Sequence, residues 1–267
     1  MTSLGHIQAT APSWIGKVRG TSSRMEFSAQ PRNPGGGLGR TYELEIFTNA
    51  QAGVSVREYP VSILPACCVE RHINPNATFC LSYDSQKPIE DIEQAHSWWH
   101  SLETYLRNQD FASRRRVWPL SAGLSHGEHA AEIQLKMEEI AEPLAWKDEV
   151  LRSIFAGEGW LSGKLPRRSQ DRSTLVNVRT ACPRGCRRLH GVPRKEFCHL
   201  SECHSACKKM HKPILRADCP QRAQVETLVL LEHQRRQREE EMLRSLIKSG
   251  VTCCETMDRC PIRDLQA

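Results

Sequence analysis

Cysteine placement divides this 267-residue chain more sharply than any other feature. Three of its twelve cysteines lie early, at Cys67, Cys68 and Cys80. Nine lie late, at Cys182, Cys186, Cys198, Cys203, Cys207, Cys219, Cys253, Cys254 and Cys260. No stretch approaches the roughly 20 apolar residues that span a bilayer. The start, Met1 to Ala11, lacks the basic flank and apolar run of an export signal, so a cytoplasmic, membrane-free protein is expected. In that compartment cysteines serve as metal ligands, nucleophiles or small core residues rather than as disulfides. Charge shifts with the cysteines. Residues Leu161 to Pro220 carry 14 Lys or Arg against 4 Asp or Glu, in a chain whose net charge is only +6. The basic residues are interleaved with cysteines and have few aromatic neighbours. That pattern suits neutralisation of thiolate charge better than a nucleic-acid surface, and nucleic acid is not an expected partner.

Ahead of that segment the hydrophobic pattern is of mixed type. The first two dozen residues show no period and read as an irregular arm, with no amphipathic helix before the first strand. Met25 to Gln30 alternates weakly, and Pro31 to Gly39 is loop chemistry. Tyr42, Leu44 and Ile46 alternate with Glu43 and Glu45, the mark of a half-buried strand. Val54 to Tyr59 and Ala66 to Arg71 read as further strands of a small antiparallel meander. Helical spacing follows. Ile89, Ile92, Ala95, Trp99, Leu102 and Leu106 lie on one face from Pro88 to Leu106, with Pro88 suited to the first turn. Ser125 and Glu128 have capping-box spacing ahead of Ala130 to Leu144, and Lys147 to Phe155 adds a short helix stopped by Gly157 and Gly159. Gln221 to Ser249 is a long helix capped by Gly250, whose middle, Glu232 to Glu241, is polar all round and reads as solvated or bridging.

The most informative stretch is Glu58 to Leu81, EYPVSILPACCVERHINPNATFCL. A Tyr-Pro pair precedes a strand, the strand leads to His72-Ile73-Asn74, and six residues beyond Asn74 stand Cys80 and Leu81. This order resembles the core of ubiquitin-conjugating enzymes, where a Tyr-Pro turn, a strand, a His-Pro-Asn motif and a catalytic Cys-Leu follow an antiparallel meander and precede helices. It is most similar to the bacterial conjugating-enzyme-like proteins of antiphage and ubiquitin-like operons, whose later Ser-His-Gly segment is matched by Ser125 to Gly127. The resemblance covers roughly Met25 to Leu144. It implies an α+β conjugating-enzyme-like fold, a four-stranded meander followed by helices, and an acyl transferase that accepts a ubiquitin-like modifier from an activating enzyme as a thioester. Cys80 would be the nucleophile. Asn74 would stabilise the oxyanion during aminolysis or hold the loop that does, and His72 would tie the active-site loop. The protein target would be a defence protein such as a cyclic-oligonucleotide synthase. Three departures stand out: Ile73 replaces the middle proline, the interval from Asn74 to Cys80 is shorter than is common in the eukaryotic enzymes, and no tryptophan is evident on a loop after the cysteine, since Trp98 and Trp99 fall in a helix as core residues.

Domains are expected at residues 1–160, conjugating-enzyme-like, and 174–267, cysteine-rich with the long helix. Cys182, Cys186, Cys198, Cys203, Cys207 and Cys219 are candidate ligands for one or two structural zinc ions. Their spacings are not those of zinc ribbons, and neighbouring histidines could substitute. A tail with few large apolar side chains would gain the stability it lacks from a metal. Two other readings stay open: a catalytically silent conjugating-enzyme-like scaffold, and a zinc-dependent module that binds nucleic acid or protein.

Overall fold

The computed structural model describes residues 1–50, 52–81, 83, 87–176 and 220–266. The chain divides into two compact units, Met1–Ala122 with Met242–Ala267, and Gly123–Glu241.

The first unit is built on a four-stranded antiparallel meander in sequential order: β1 (Ile15–Gly20), β2 (Arg24–Ala29), β3 (Tyr42–Thr48) and β4 (Val54–Glu58). Alternation fixes the register. Met25 stands opposite Ile46, Phe27 opposite Leu44 and Ala29 opposite Tyr42, while Ile46 in turn pairs with Val56, so one face of the sheet is apolar. That face packs on α2 (Ile92–Arg115) through Trp98, Trp99, Leu102 and Leu106, with Phe27 and Trp14 each 5.6 Å edge-on from Trp99. The opposite face carries a buried ionic centre. Glu45, only 2% exposed, is bracketed by Arg24 and Arg57, each at 2.9 Å.

Several elements differ from the sequence reading. A short helix, α1 (Ser3–Ala9), precedes the sheet. Thr2 caps it, Leu4 and Ile7 are buried, and the Trp99 indole N–H donates to the Ile7 carbonyl at 3.0 Å. Two apolar anchors in seven residues are too few to show a period. The fourth strand is β1, an edge strand with a bulge at Lys17 (φ 50°), and not Ala66 to Arg71. That later segment forms a 3-10 turn, Val69–Arg71, because Cys68 and Ile73 bridge back on each other. Helix α2 starts at the Asp91 cap, whose carboxylate accepts the Gln94 N–H at 2.8 Å, so Pro88 lies outside it. It continues to Arg115, because its buried face beyond Leu106 includes the polar Gln109 and Asp110, which hid the period. Asp110 accepts the Tyr42 hydroxyl at 2.8 Å and packs so tightly on Gly39 that a Cβ there would lie 2.9 Å from its carboxylate.

The second unit is helical: α3 (Glu128–Ala141), a 3-10 turn, α4 (Lys147–Leu151) running into a π turn (Arg152–Ala156), and most of α5 (Arg222–Lys248). Met137, Trp146, Val150, Leu161, Val225 and Leu228 form its core. The Ser125–Glu128 capping box is not made. Gly127 caps α3, while Ser125 is buried, donates its N–H to Gln134 at 2.7 Å and accepts from Arg235 at 3.1 Å. The middle of α5 is solvated on one side only, where Gln234, Arg238, Glu240 and Glu241 are exposed. Glu232 and Arg235 are 1% and 4% exposed and meet at 2.7 Å, and Arg235 also reaches Glu239 at 2.6 Å. Polar residues here compensate one another inside the unit, which an apolar-pattern reading cannot detect. The last turn of α5 and α6 (Pro261–Gln266) belong to the first unit, where Leu243, Cys260 and Ile262 pack with Val69. No helix among the described residues is long and apolar enough to cross a membrane.

Candidate active site

The segment from Cys68 to Leu81 is held by its own backbone. Cys68 and Ile73 exchange both N–H···O bonds at 3.0 Å, and Phe79 donates to the Val56 carbonyl at 2.8 Å, which attaches the end of the segment to β4. Ile73 is buried and uses its N–H in this bridge. A proline in the middle of the motif could not donate there, which gives a physical reason for isoleucine. Between these anchors the chain turns through His72, in the left-handed region at φ 55°, and through Ala77 at φ 62°.

His72 and Cys80 are brought together: the Cys80 N–H donates to the His72 carbonyl at 2.9 Å. Asn74 lies in the turn between them. Its backbone N–H donates to Thr78 at 2.8 Å and its side-chain amide donates to the Thr78 hydroxyl at 3.0 Å. The Thr78 hydroxyl is itself 2.7 Å from the Asn76 side chain. Cys80 is half-buried, and desolvation pushes its thiol above the ordinary range. Its neighbour Phe79 is buried and stacks on Tyr105 at 4.7 Å between ring centres.

Four supporting residues were not identified from sequence. The buried Tyr105 hydroxyl donates to the carbonyls of Arg71 at 2.9 Å and His72 at 3.2 Å. Arg71, 2% exposed, sends its guanidinium to the Gln109 side chain at 2.7 Å and to the Ser113 hydroxyl at 2.8 Å, and Gln109 returns a bond to the Arg71 carbonyl at 2.8 Å. A tryptophan on a loop after the cysteine does exist. Trp118 follows α2, stands 5.2 Å from the His72 ring, and donates its indole N–H to the Ala122 carbonyl at 3.0 Å. Its Trp-Pro context, which disfavours helix, was the available signal. Tyr105 and Gln109 lie one helical turn apart on the extended face of α2, so recognising that α2 passes Leu106 would have found them.

Tyr105 shares the Arg71 carbonyl with Gln109 and the His72 carbonyl with the Cys80 N–H, so Tyr105→Phe removes one donor from each and is expected to lower unfolding stability by about 0.5–1.5 kcal/mol. Denaturant unfolding checks this, and a change below the error of the extrapolation would show that the remaining donors suffice.

The six candidate zinc ligands, Cys182, Cys186, Cys198, Cys203, Cys207 and Cys219, lie outside the described residues. Among the described residues no group of three or more His, Cys, Asp or Glu is arranged to hold a metal ion.

A four-stranded antiparallel sheet followed by helices, with a His-x-Asn turn leading to a half-buried Cys-Leu, defines a conjugating-enzyme-like protein. Comparison with family models agrees: residues 15–120 match a prokaryotic E2 domain, and residues 125–262 match a cysteine-rich domain C-terminal to the E2 domain. The second match spans more than half the chain, and the protein belongs to this family of prokaryotic E2 proteins with a cysteine-rich extension. No curated protein and no solved structure matches it. The E2 domain places the chain in ubiquitin-like conjugation, a transferase class whose general partners are a ubiquitin-like modifier and an activating enzyme. The cysteine-rich domain is compatible with metal binding.

Proposed function

We propose that the chain carries the carboxyl terminus of a ubiquitin-like modifier as a thioester on Cys80 and passes it to an amine of a protein target. The observation that supports this best is Cys80 itself: a half-buried thiol at the end of a segment locked by Tyr105 and β4, next in space to the His72 backbone. Burial raises its thiol above the ordinary range, which disfavours the thiolate in the free chain. His72 ties the loop through its carbonyl and ring contact, and Asn74 stabilises the oxyanion that forms when an amine attacks the Cys80 acyl carbon.

The cysteine-rich domain, with zinc on ligands drawn from Cys182, Cys186, Cys198, Cys203, Cys207 and Cys219, positions the target. Thiolate donors suit zinc, which supplies fold stability to such a domain rather than chemistry. The operon resemblance supports an antiphage role with a defence protein such as a cyclic-oligonucleotide synthase as target.

The test is intact-mass analysis of chain purified from its native host under acidic, non-reducing conditions. Wild type is expected to carry a modifier adduct removed by thiol reductant, Cys80→Ser a reductant-resistant ester, and Cys80→Ala none. The desolvation of Cys80 also fits a scaffold reading in which it only packs. That reading requires wild type without an adduct, or the same adduct persisting on Cys80→Ala.

A further inference from the structure

Six cysteines lie among the described residues, and none is in a disulfide. Two of them form a contact that the E2 chemistry does not use. The sulfurs of Cys254, from the C-terminal segment, and Cys68, from the start of the motif loop, lie 2.7 Å apart within the first unit. They share a small cluster with Ala112, Met257 and Trp118. The Thr256 hydroxyl is 3.1 Å from the Cys254 sulfur. The Cys67 sulfur lies 3.5 Å from the Ile73 carbonyl, and Cys254 also acts on its charge.

The charge of the buried Arg71 guanidinium acts on both sulfurs, and its hydrogen-bond partners among the described residues are uncharged: the Gln109 side chain, the Gln109 carbonyl and the Ser113 hydroxyl. A buried cation calls for a counter-charge, and a thiolate is the one that this cluster can supply. The proton shared by the two sulfurs resides accordingly. Against the burial that would raise it, the hydrogen bond shared with Cys68, then Thr256 and the Arg71 charge, hold the Cys254 thiol below the ordinary range, while the bond shared with Cys254 and burial raise Cys68. Cys254 is also the accessible partner, half-buried where Cys68 is 4% exposed.

We propose that Cys254 is a site of thiol–disulfide exchange with small-molecule disulfides of the glutathione class, resolved by Cys68 into a reversible bond that ties the C-terminal segment to the motif loop. The Cys254 thiolate attacks one sulfur of the small disulfide, forming a mixed disulfide and releasing one small thiolate. Cys68 then attacks the Cys254 sulfur and expels the second small thiolate; the Cys68 proton passes to one released thiolate and the other takes its proton from solvent. Two protein thiols are oxidised and one small disulfide is reduced to two thiols. The bond would close at Cys68, whose backbone is paired with Ile73, the residue between His72 and Asn74. The exchange itself does not depend on the role proposed for Cys80.

The experiment treats the full chain with oxidised glutathione at neutral pH and maps the products by mass spectrometry. Wild type is expected to lose two hydrogens with Cys68 and Cys254 joined. Cys68→Ser should stop with one glutathione on Cys254, and Cys254→Ser should give neither product, while Cys253→Ser should behave as wild type. A measurement on unmodified chain stands beside the variants: Cys254 should react with iodoacetamide at least about tenfold faster than Cys253 at pH 7. The proposal is overturned if Cys254 alkylates no faster than Cys253. It is overturned equally if oxidation joins Cys254 to Cys67 or Cys253, or if native mass shows zinc that Cys254→Ser releases.

Discussion

Replacing Asn74 by alanine is expected to slow discharge of a Cys80-bound modifier to free lysine by about 100- to 1000-fold, while loading of Cys80 changes only a few-fold. The asymmetry follows from the oxyanion role proposed for Asn74 and from when charge appears. An amide nitrogen carries two N–H groups. Thr78 accepts from the Asn74 amide at 3.0 Å and is itself held by Asn76, so the amide plane is fixed before any substrate arrives. A pre-oriented donor of this kind contributes about 2.7–4 kcal/mol to a developing oxyanion. Single-turnover loading and discharge, followed separately on gels without reductant, give the two rates. Equal losses in both steps would make Asn74 a residue that only shapes the loop. Thr78→Val separates the two roles further, since it removes the hydroxyl that orients the amide but keeps both Asn74 N–H groups.

A loss of about 1–3 kcal/mol is expected in the second unit when Arg235 is replaced by methionine. Arg235 is 4% exposed and lies 2.7 Å from Glu232 and 2.6 Å from Glu239, and Glu232 is itself 1% exposed. Methionine fills much of the volume and removes one of two cations from Glu232, which keeps Arg236 at 2.6 Å, while Glu239 keeps His126. Hydrogen exchange read by peptide should show α3 and the Glu232–Glu241 part of α5 losing about tenfold or more in protection. Unchanged protection there would mean that water already reaches the network. Acid acts on the same centre. Burial alone would raise the Glu239 carboxyl, but the bond and charge of His126, 2.9 Å away, together with Arg235, pull it below the usual carboxylate range. A depressed folded value means that this stabilisation is fully present above the ordinary value of 4.5 and fades as pH falls beneath it. The acid-induced loss should shrink in Glu239→Gln.

How much could be read without coordinates depended on whether a residue's environment was local. The alternation of Tyr42, Leu44 and Ile46 and the turn chemistry of Pro31 to Gly39 specify β3 and the loop before it, because strand faces and turns are decided by near neighbours. The order Tyr-Pro, His-x-Asn, Cys-Leu was likewise a contiguous signal. Strand β1 was not legible, since only Ile15 and Trp14 of that edge pack on the core and the bulge at Lys17 breaks its register. The supporting residues around the motif were missed for a related reason. Arg71 and Gln109 read as ordinary polar surface residues until the fold places them against each other 38 positions apart. The same holds for Glu232 and Arg235, where charge compensation inside the unit makes a polar stretch a buried one.

The first unit is closed by residues that come after the second unit in the chain. Met257 and Cys254 cover Cys68 and Ala112, Arg116 holds Asp258 at 2.7 Å and also reaches the Glu255 carbonyl, and Ile262 packs near Val69. A nascent chain released only as far as residue 122 therefore leaves the start of the motif loop uncapped, however complete its sheet. Translation must run through the whole intervening unit before that cover can be laid down, so the motif loop gains its final packing only after residues 123–241 have been made.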